Sequence, residues 1–193
     1  MIMFNKGYYT DKELENAGFK SLGKNIKISK NCTIIGIEKI SIGSNVRIDD
    51  YTTLVTDRED IIIGDYVHIC QHCHISGGGG IEMKGFNSIS AGASLYSSGQ
   101  EINEGKFFGG NVIGEYAAAH TYKKIVLEEN TSVGTNAVVL PGVTIHEGAA
   151  IGALSLVTKS LEPWGIYIGV PAKKLKDRAI IDPTDEWKKE LRE

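Results

Sequence analysis

The chain has 193 residues, 41% hydrophobic and 23% charged, which is ordinary usage for one soluble domain. A formal net charge of −3 gives no electrostatic reason to expect nucleic acid or an anionic membrane as partner, and no apolar run is long enough to span a bilayer. Three cysteines, Cys32, Cys70 and Cys73, make no even, widely spaced framework, and the N-terminus lacks a signal-peptide pattern, so reduced thiols and a cytoplasmic location are expected.

In chain order, Thr10-Asp11-Lys12-Glu13 has the form of a capping box and predicts a short helix ended by Gly18. Residues 1–21 are therefore expected to form a helical cap over the end of the main body. From residue 22 to 162 an aliphatic side chain recurs every sixth position. It does so at Ile28 and Ile34, then after a two-residue slip at Ile42, Ile48 and Leu54, then at Ile63, Ile69 and Ile75, and at Met83, Ile89 and Leu95. Residues 56–62 read as a small corner insertion, and the four glycines Gly77 to Gly80 as an outward bulge. The clearest run is Leu127, Val133, Val139, Ile145, Ile151 and Val157, with Thr131, Ala137, Val143, Ala149 and Ser155 at the fifth place of each block. Such a hexad is one short strand and a bend, and three hexads close a triangular coil: an all-β parallel β-helix. Each coil buries its aliphatics only against its neighbours, so a run of coils and an end cap are both required.

Residues 97–124 break the repeat. Loops this long are usually functional or disordered, and this one carries Phe107, Phe108, Tyr116 and Tyr122, too aromatic for a free linker. After Glu162 come glycines and prolines that end the coil, and residues 163–193 form a tail. Within it, the segment 183–191 reads as a short capped helix.

Three of the five histidines fall between His68 and His74. With Ile69 and Ile75 inward, His68 and His74 point outward. His74 stacks beside Thr53 and Ser94, whereas His68 stacks beside Arg47 and Ser88 on a different face of the triangle. Histidine has the ordinary pKa suited to a general base, and glycine N–H groups can serve as oxyanion donors. His74, followed by Ser76 and the glycine run, is therefore the first candidate base and His68 the second. His120 ranks third, and His146 is expected to be simply exposed. Asp49 and Asp50 form an acidic corner able to hold a cationic sugar or orient a histidine, and Asp50 and Tyr96 are the expected acceptor contacts.

The blocks Ile42-Gly43-Ser44-Asn45-Val46 and Ile151-Gly152-Ala153-Leu154-Ser155, followed by Gly169-Val170-Pro171-Ala172-Lys173, resemble the hexapeptide-repeat acyltransferases, in particular those that acylate nucleotide-linked amino sugars for surface polysaccharide. The resemblance implies a left-handed coil, a homotrimer, and acetyl-CoA in the groove between subunits. It places the CoA along Gly134, Ala153, Ser155, Lys159, Pro171, Lys173 and Lys174, with lysines near its phosphates, and gives the long loop the task of walling a neighbouring site. With a sugar amine as the acceptor, direct transfer is expected without an acyl-cysteine, because Cys70 and Cys73 lack an activating partner. No resident metal is expected. The alternatives left open are O-acylation of a sugar, a zinc lyase like the carbonic anhydrases of similar coil, and a coil that serves only as an oligomerisation scaffold.

Overall fold

A strand of two or three residues cannot stand alone; it persists only when ladders above and below satisfy its backbone. The computed structural model, which describes residues 6–102 and 105–181, meets that condition with three stacks of parallel strands that form a left-handed β-helix. The helix predicted over 183–191 lies outside the described residues.

The first face stacks Ser21–Leu22, Ile40–Ile42, Ile61–Ile63, Ile81–Met83, Ile125–Leu127 and Thr144–Ile145. The second stacks Lys27–Ile28, Arg47–Ile48, His68–Ile69, Ser88–Ile89, Ser132–Val133, Ala150–Ile151 and Gly165–Ile168. The third stacks Thr33–Ile35, Thr53–Val55, His74–Ser76, Ser94–Tyr96, Val138–Val139 and Leu156–Val157. In register, Ile28, Ile48, Ile69, Ile89, Val133 and Ile151 form one inward column. Leu54, Ile75, Leu95, Val139 and Val157 form another. All of these side chains are buried, each contributing about 1.5–3 kcal/mol of burial before chain entropy is subtracted.

The corners follow one rule. The fifth residues of the late blocks, Thr131, Ala137, Val143, Ala149 and Ser155, all point inward and are buried. The residue before each has positive φ: Asn130, Asn136, Gly142, Gly148 and Leu154, between 55° and 82°. Asparagine and glycine tolerate that region best, and the sequence supplies them in four of the five places. Gly148 has a second reason, because a Cβ there would lie 2.4 Å from the ring of Trp164.

At the N-terminal end the helix Asp11–Glu15 is opened by the predicted capping box on Thr10 and Glu13. It buries Leu14 over the first coil, and Lys30 reaches Glu13 at 2.7 Å. At the other end the stack continues beyond Glu162. Tyr167 takes the column place above Ile151, its hydroxyl donating to Glu162 O at 3.0 Å, and Lys173–Asp177 folds back antiparallel as an exposed edge.

The segment over 97–124 leaves the third face as a two-stranded ribbon, Ser98–Gln100 against His120–Tyr122. Arg58, in the 56–62 corner, lies 4.5 Å above the Tyr122 ring and helps pin its root. The four-glycine run does not bulge outward. Gly77, Gly78 and Gly80 are buried, and a Cβ on Gly79 would lie 2.2 Å from Ser97 O and 2.6 Å from Lys123 N. These glycines let the two stems of the ribbon pass against the coil.

Candidate functional site

His68 and His74 both point outward from one coil, on the second and third faces. Each stacks as its spacing predicts: His68 between Arg47 and Ser88, His74 between Thr53 and Ser94. Their surroundings differ. His68 Nε2 lies 2.8 Å from Asp49 Oδ2. The other Asp49 oxygen accepts from Arg47 Nε at 2.7 Å and from the Tyr8 hydroxyl at 3.1 Å. Asp49 is the member that sequence reasoning passed over in favour of Asp50. Its signal was the two-residue alternation from Arg47, which puts Asp49 on the same outward side. Burial pushes the Asp49 carboxyl up, but hydrogen bonds from His68 and Arg47, the Arg47 charge and the Tyr8 hydroxyl outweigh it and hold the group below the usual carboxylate range.

His74 is half-buried, with its ring 5.4 Å from that of Tyr96. Among the described residues it has no carboxylate partner. Three N–H groups of the glycine run, expected to serve as oxyanion donors, are engaged within the fold. Gly77 N–H donates to Val55 O and Gly80 N–H to Gly77 O, both at 2.8 Å, while Gly79 N–H donates to Ser97 Oγ at 2.9 Å. His72 sits at a corner with φ 60° and stacks on Tyr51 at 5.1 Å. His120 lies on the ribbon beside Tyr122, and His146 is held by Glu128 at 3.1 Å instead of standing free.

A cavity of about 280 Å³ opens beside Asp49, lined also by Tyr8, Arg47, Asp50, Tyr51, Gln71 and His72, while His68 is not part of its wall. Asp50 also accepts a hydrogen bond from the Ser29 hydroxyl. Asp49, His68 and Cys70 bring potential ligand atoms within 4.8 Å of one another. Asp49 is already engaged by a guanidinium, however, and burial raises the Cys70 thiol, so a hydrogen-bonded pair fits this corner better than a cation. Burial likewise pushes Cys32 up to about 11 and Cys73 up to about 12. None of the three is prepared as a nucleophile.

The remaining expected residues are scattered over the late coils. Gly134 packs against the next coil, where a Cβ would lie 2.6 Å from Ala153 N. Ala153, Lys159, Pro171 and Lys173 are exposed, and Lys174 pairs with Asp177 at 2.6 Å. Ser155 is a correction: it is 2% exposed and its Oγ accepts from Gly169 N–H at 3.1 Å. A fifth-place residue turns its side chain into the corner.

The sequence over 124–159 matches the model for bacterial transferase hexapeptides, six repeats. The dTDP-4-amino-4,6-dideoxy-D-glucose acyltransferase of Escherichia coli is 38% identical over 173 residues, 89% of this chain and 89% of that protein.

The chain belongs to the hexapeptide-repeat acyltransferases.

Solved members of this family extend the likeness. AntD, an N-acyltransferase from Bacillus cereus in complex with dTDP and 3-hydroxybutyryl-CoA, superimposes with a TM-score of 0.90 at 36% identity, covering 98% of this chain and 100% of that one. An AntD variant in complex with dTDP-4-amino-4,6-dideoxyglucose and CoA gives 0.88 at 35%, covering 98% of each chain. A maltose O-acetyltransferase from Clostridium difficile, at 20% identity and a TM-score of 0.56, shares the fold. Among the described residues of this hexapeptide acyltransferase no helix is long and apolar enough to cross a membrane.

Proposed function

We propose that the protein is a CoA-dependent N-acyltransferase that moves an acyl group from an acyl-CoA thioester to the amine of a dTDP-linked 4-amino-4,6-dideoxy sugar. The observation that carries this reading is the match over nearly the whole chain to AntD, which holds dTDP and a CoA thioester together. The corner of the second face suits an amine acceptor. His68, oriented by Asp49 at 2.8 Å, takes a proton from the neutral amine as its nitrogen adds to the thioester carbonyl. As the C–N bond forms the carbonyl pair moves onto oxygen; when it returns the C–S bond breaks, and the proton taken up by His68 passes to the departing thiolate, leaving the amide and free CoA thiol. The amino sugar held by the AntD variant favours nitrogen over oxygen as the acceptor.

In this reading the chain is a cytoplasmic trimer. The donor runs past Gly134, Ala153, Lys159, Pro171 and Lys173, and the exposed rings of Phe107, Phe108 and Tyr116 on the ribbon face a neighbouring subunit. Acetyl-CoA is the proposed donor. The product is still an activated sugar, so a glycosyl transfer consumes it, in keeping with a place in surface-polysaccharide synthesis.

The test is release of free CoA thiol from acetyl-CoA and 3-hydroxybutyryl-CoA, measured against dTDP-4-amino-4,6-dideoxyglucose and its 4-hydroxy counterpart. Release that depends on the amino sugar supports the proposal. Release only with the hydroxy sugar, or with neither, overturns it.

A further inference from the structure

The short strap that leads into the end cap is tied to the His68 constellation. Tyr8 bridges Ser29 in the antiparallel sense, Tyr9 N–H donates to Ile28 O at 2.9 Å, and Lys30 N–H donates to Gly7 O at 2.9 Å. Thr10 then opens the cap helix, whose Glu13 is held by Lys30 at 2.7 Å. The backbone of Tyr8 is therefore fixed against the first coil on both sides.

Its side chain serves the second coil instead. The hydroxyl donates to Asp49 Oδ1 at 3.1 Å, 41 residues further along the chain, and the Arg47 guanidinium lies 5.8 Å over the ring. Arg47 Nε donates to the same carboxylate oxygen at 2.7 Å. Oδ1 thus takes two donors from separate elements, and Oδ2 is left to His68 at 2.8 Å. The terminal torsion of an aspartate is broad, so one donor leaves the carboxylate room to swing; a second donor from another element fixes its plane. The Asp49 side chain is only 14% exposed, which leaves water little room to replace a donor that is removed. Burial and the Asp49 charge push the Tyr8 hydroxyl above its usual range, so it stays a donor at neutral pH.

Resting on His68 as the base of the acyl transfer, we propose that Tyr8 is a positioning residue: its hydroxyl fixes the Asp49 carboxylate, which holds the His68 imidazole in the orientation that takes the amine proton. A reacting group is only as well placed as the hydrogen bonds behind it. The cap that closes the end of the coil is thereby also part of the active centre.

Tyr8→Phe deletes the donor and keeps the ring against Arg47. It is compared with the wild type, with Asp49→Asn and with the double variant, in amino-sugar-dependent release of CoA thiol and in thermal melting. In the wild-type background kcat should fall at least about threefold, with KM for either substrate within about twofold and the melting temperature within about 2 °C. In the Asp49→Asn background the same change should cost less, because the carboxylate that Tyr8 positions is gone. A kcat loss smaller than about threefold would overturn the assignment, as would a loss of equal size in both backgrounds. So would a change confined to KM, which would make Tyr8 only a wall of the cavity beside Asp49, or a fall in melting temperature that accounts for the lost rate. A wild type that acylates no amino sugar defeats the acyl-transfer function itself, and an active wild type whose Asp49→Asn variant is equally active defeats His68 as the base. With both of those standing, equal losses in the two backgrounds remove only this role of Tyr8.

Discussion

His68 and His74 stand six residues apart on one coil, both outward, each directly above a residue of the coil below, yet only His68 meets a carboxylate. The six-residue period decides which way a side chain points. Its chemistry is decided by what the preceding coil places at its elbow, some 19 to 21 residues earlier. On the second face that is Asp49, already anchored by Arg47 and Tyr8; on the third it is Thr53, with Tyr96 above. An oriented imidazole is a base in waiting, while an imidazole against a phenol ring is packing with a free edge. In the proposed mechanism this contrast favours His68 as the base over His74, which has the glycine run beside it in sequence.

The first way to test the contrast is to loosen both faces at once. Ile75→Ala removes a fully buried side chain from the coil that the two histidines share and should destabilise the protein by about 2–5 kcal/mol, read by chemical denaturation. Kinetics of the folded fraction should change little, because neither outward constellation is touched directly. Asp49→Asn sharpens the contrast by leaving His68 in place without its anchor. A loss of roughly 10–10²-fold in kcat, part of a general base's full contribution, is expected with little change in KM or melting temperature. The equivalent change on the other face, Tyr96→Phe, should have no such effect on kcat.

The smallest effect lies in the cap, away from both faces. The hydrogen bond from Lys30, with those from the Thr10 backbone and hydroxyl, lowers Glu13 to about 2 from an ordinary 4.5. A depressed carboxyl stabilises the fold above its unfolded pKa and loses that contribution as pH falls through the folded value. The wild type should therefore lose a small increment of stability between about pH 4.5 and 2 that Glu13→Gln never had. Glu13 is exposed, so solvent screening keeps the increment small. Acid titrations followed by circular dichroism would show the two curves converging at low pH.

Much of this architecture could be read in the sequence because a six-residue period is local information. The columns Ile28 to Ile151 and Leu54 to Val157, the capping box at Thr10, and the outward faces of His68 and His74 all follow from spacing. The corner rule was equally visible, in the asparagines and glycines just ahead of Thr131, Ala137, Val143 and Ala149; the small buried residue drew notice, its left-handed predecessor did not. Asp49 was legible too, once Arg47 had been set beside His68, because residues two apart share a side of the strand.

What could not be read were contacts made across insertions. Four glycines in a row suggest a loop, and only the return of Ser97 and Lys123 onto Gly79 shows that they make room for the ribbon. Ser155 stood among the donor contacts implied by the resemblance, although its fifth place in the block turns its side chain inward.

The central claim is that the carboxylate-held histidine, and not its neighbour on the next face, performs the transfer. The most direct measurement sets His68→Asn beside His74→Asn in amino-sugar-dependent release of CoA thiol. His68→Asn should lose on the order of 10²–10⁴-fold in turnover while His74→Asn stays near the wild-type rate. Full activity in His68→Asn, with the loss falling on His74→Asn, would contradict the claim.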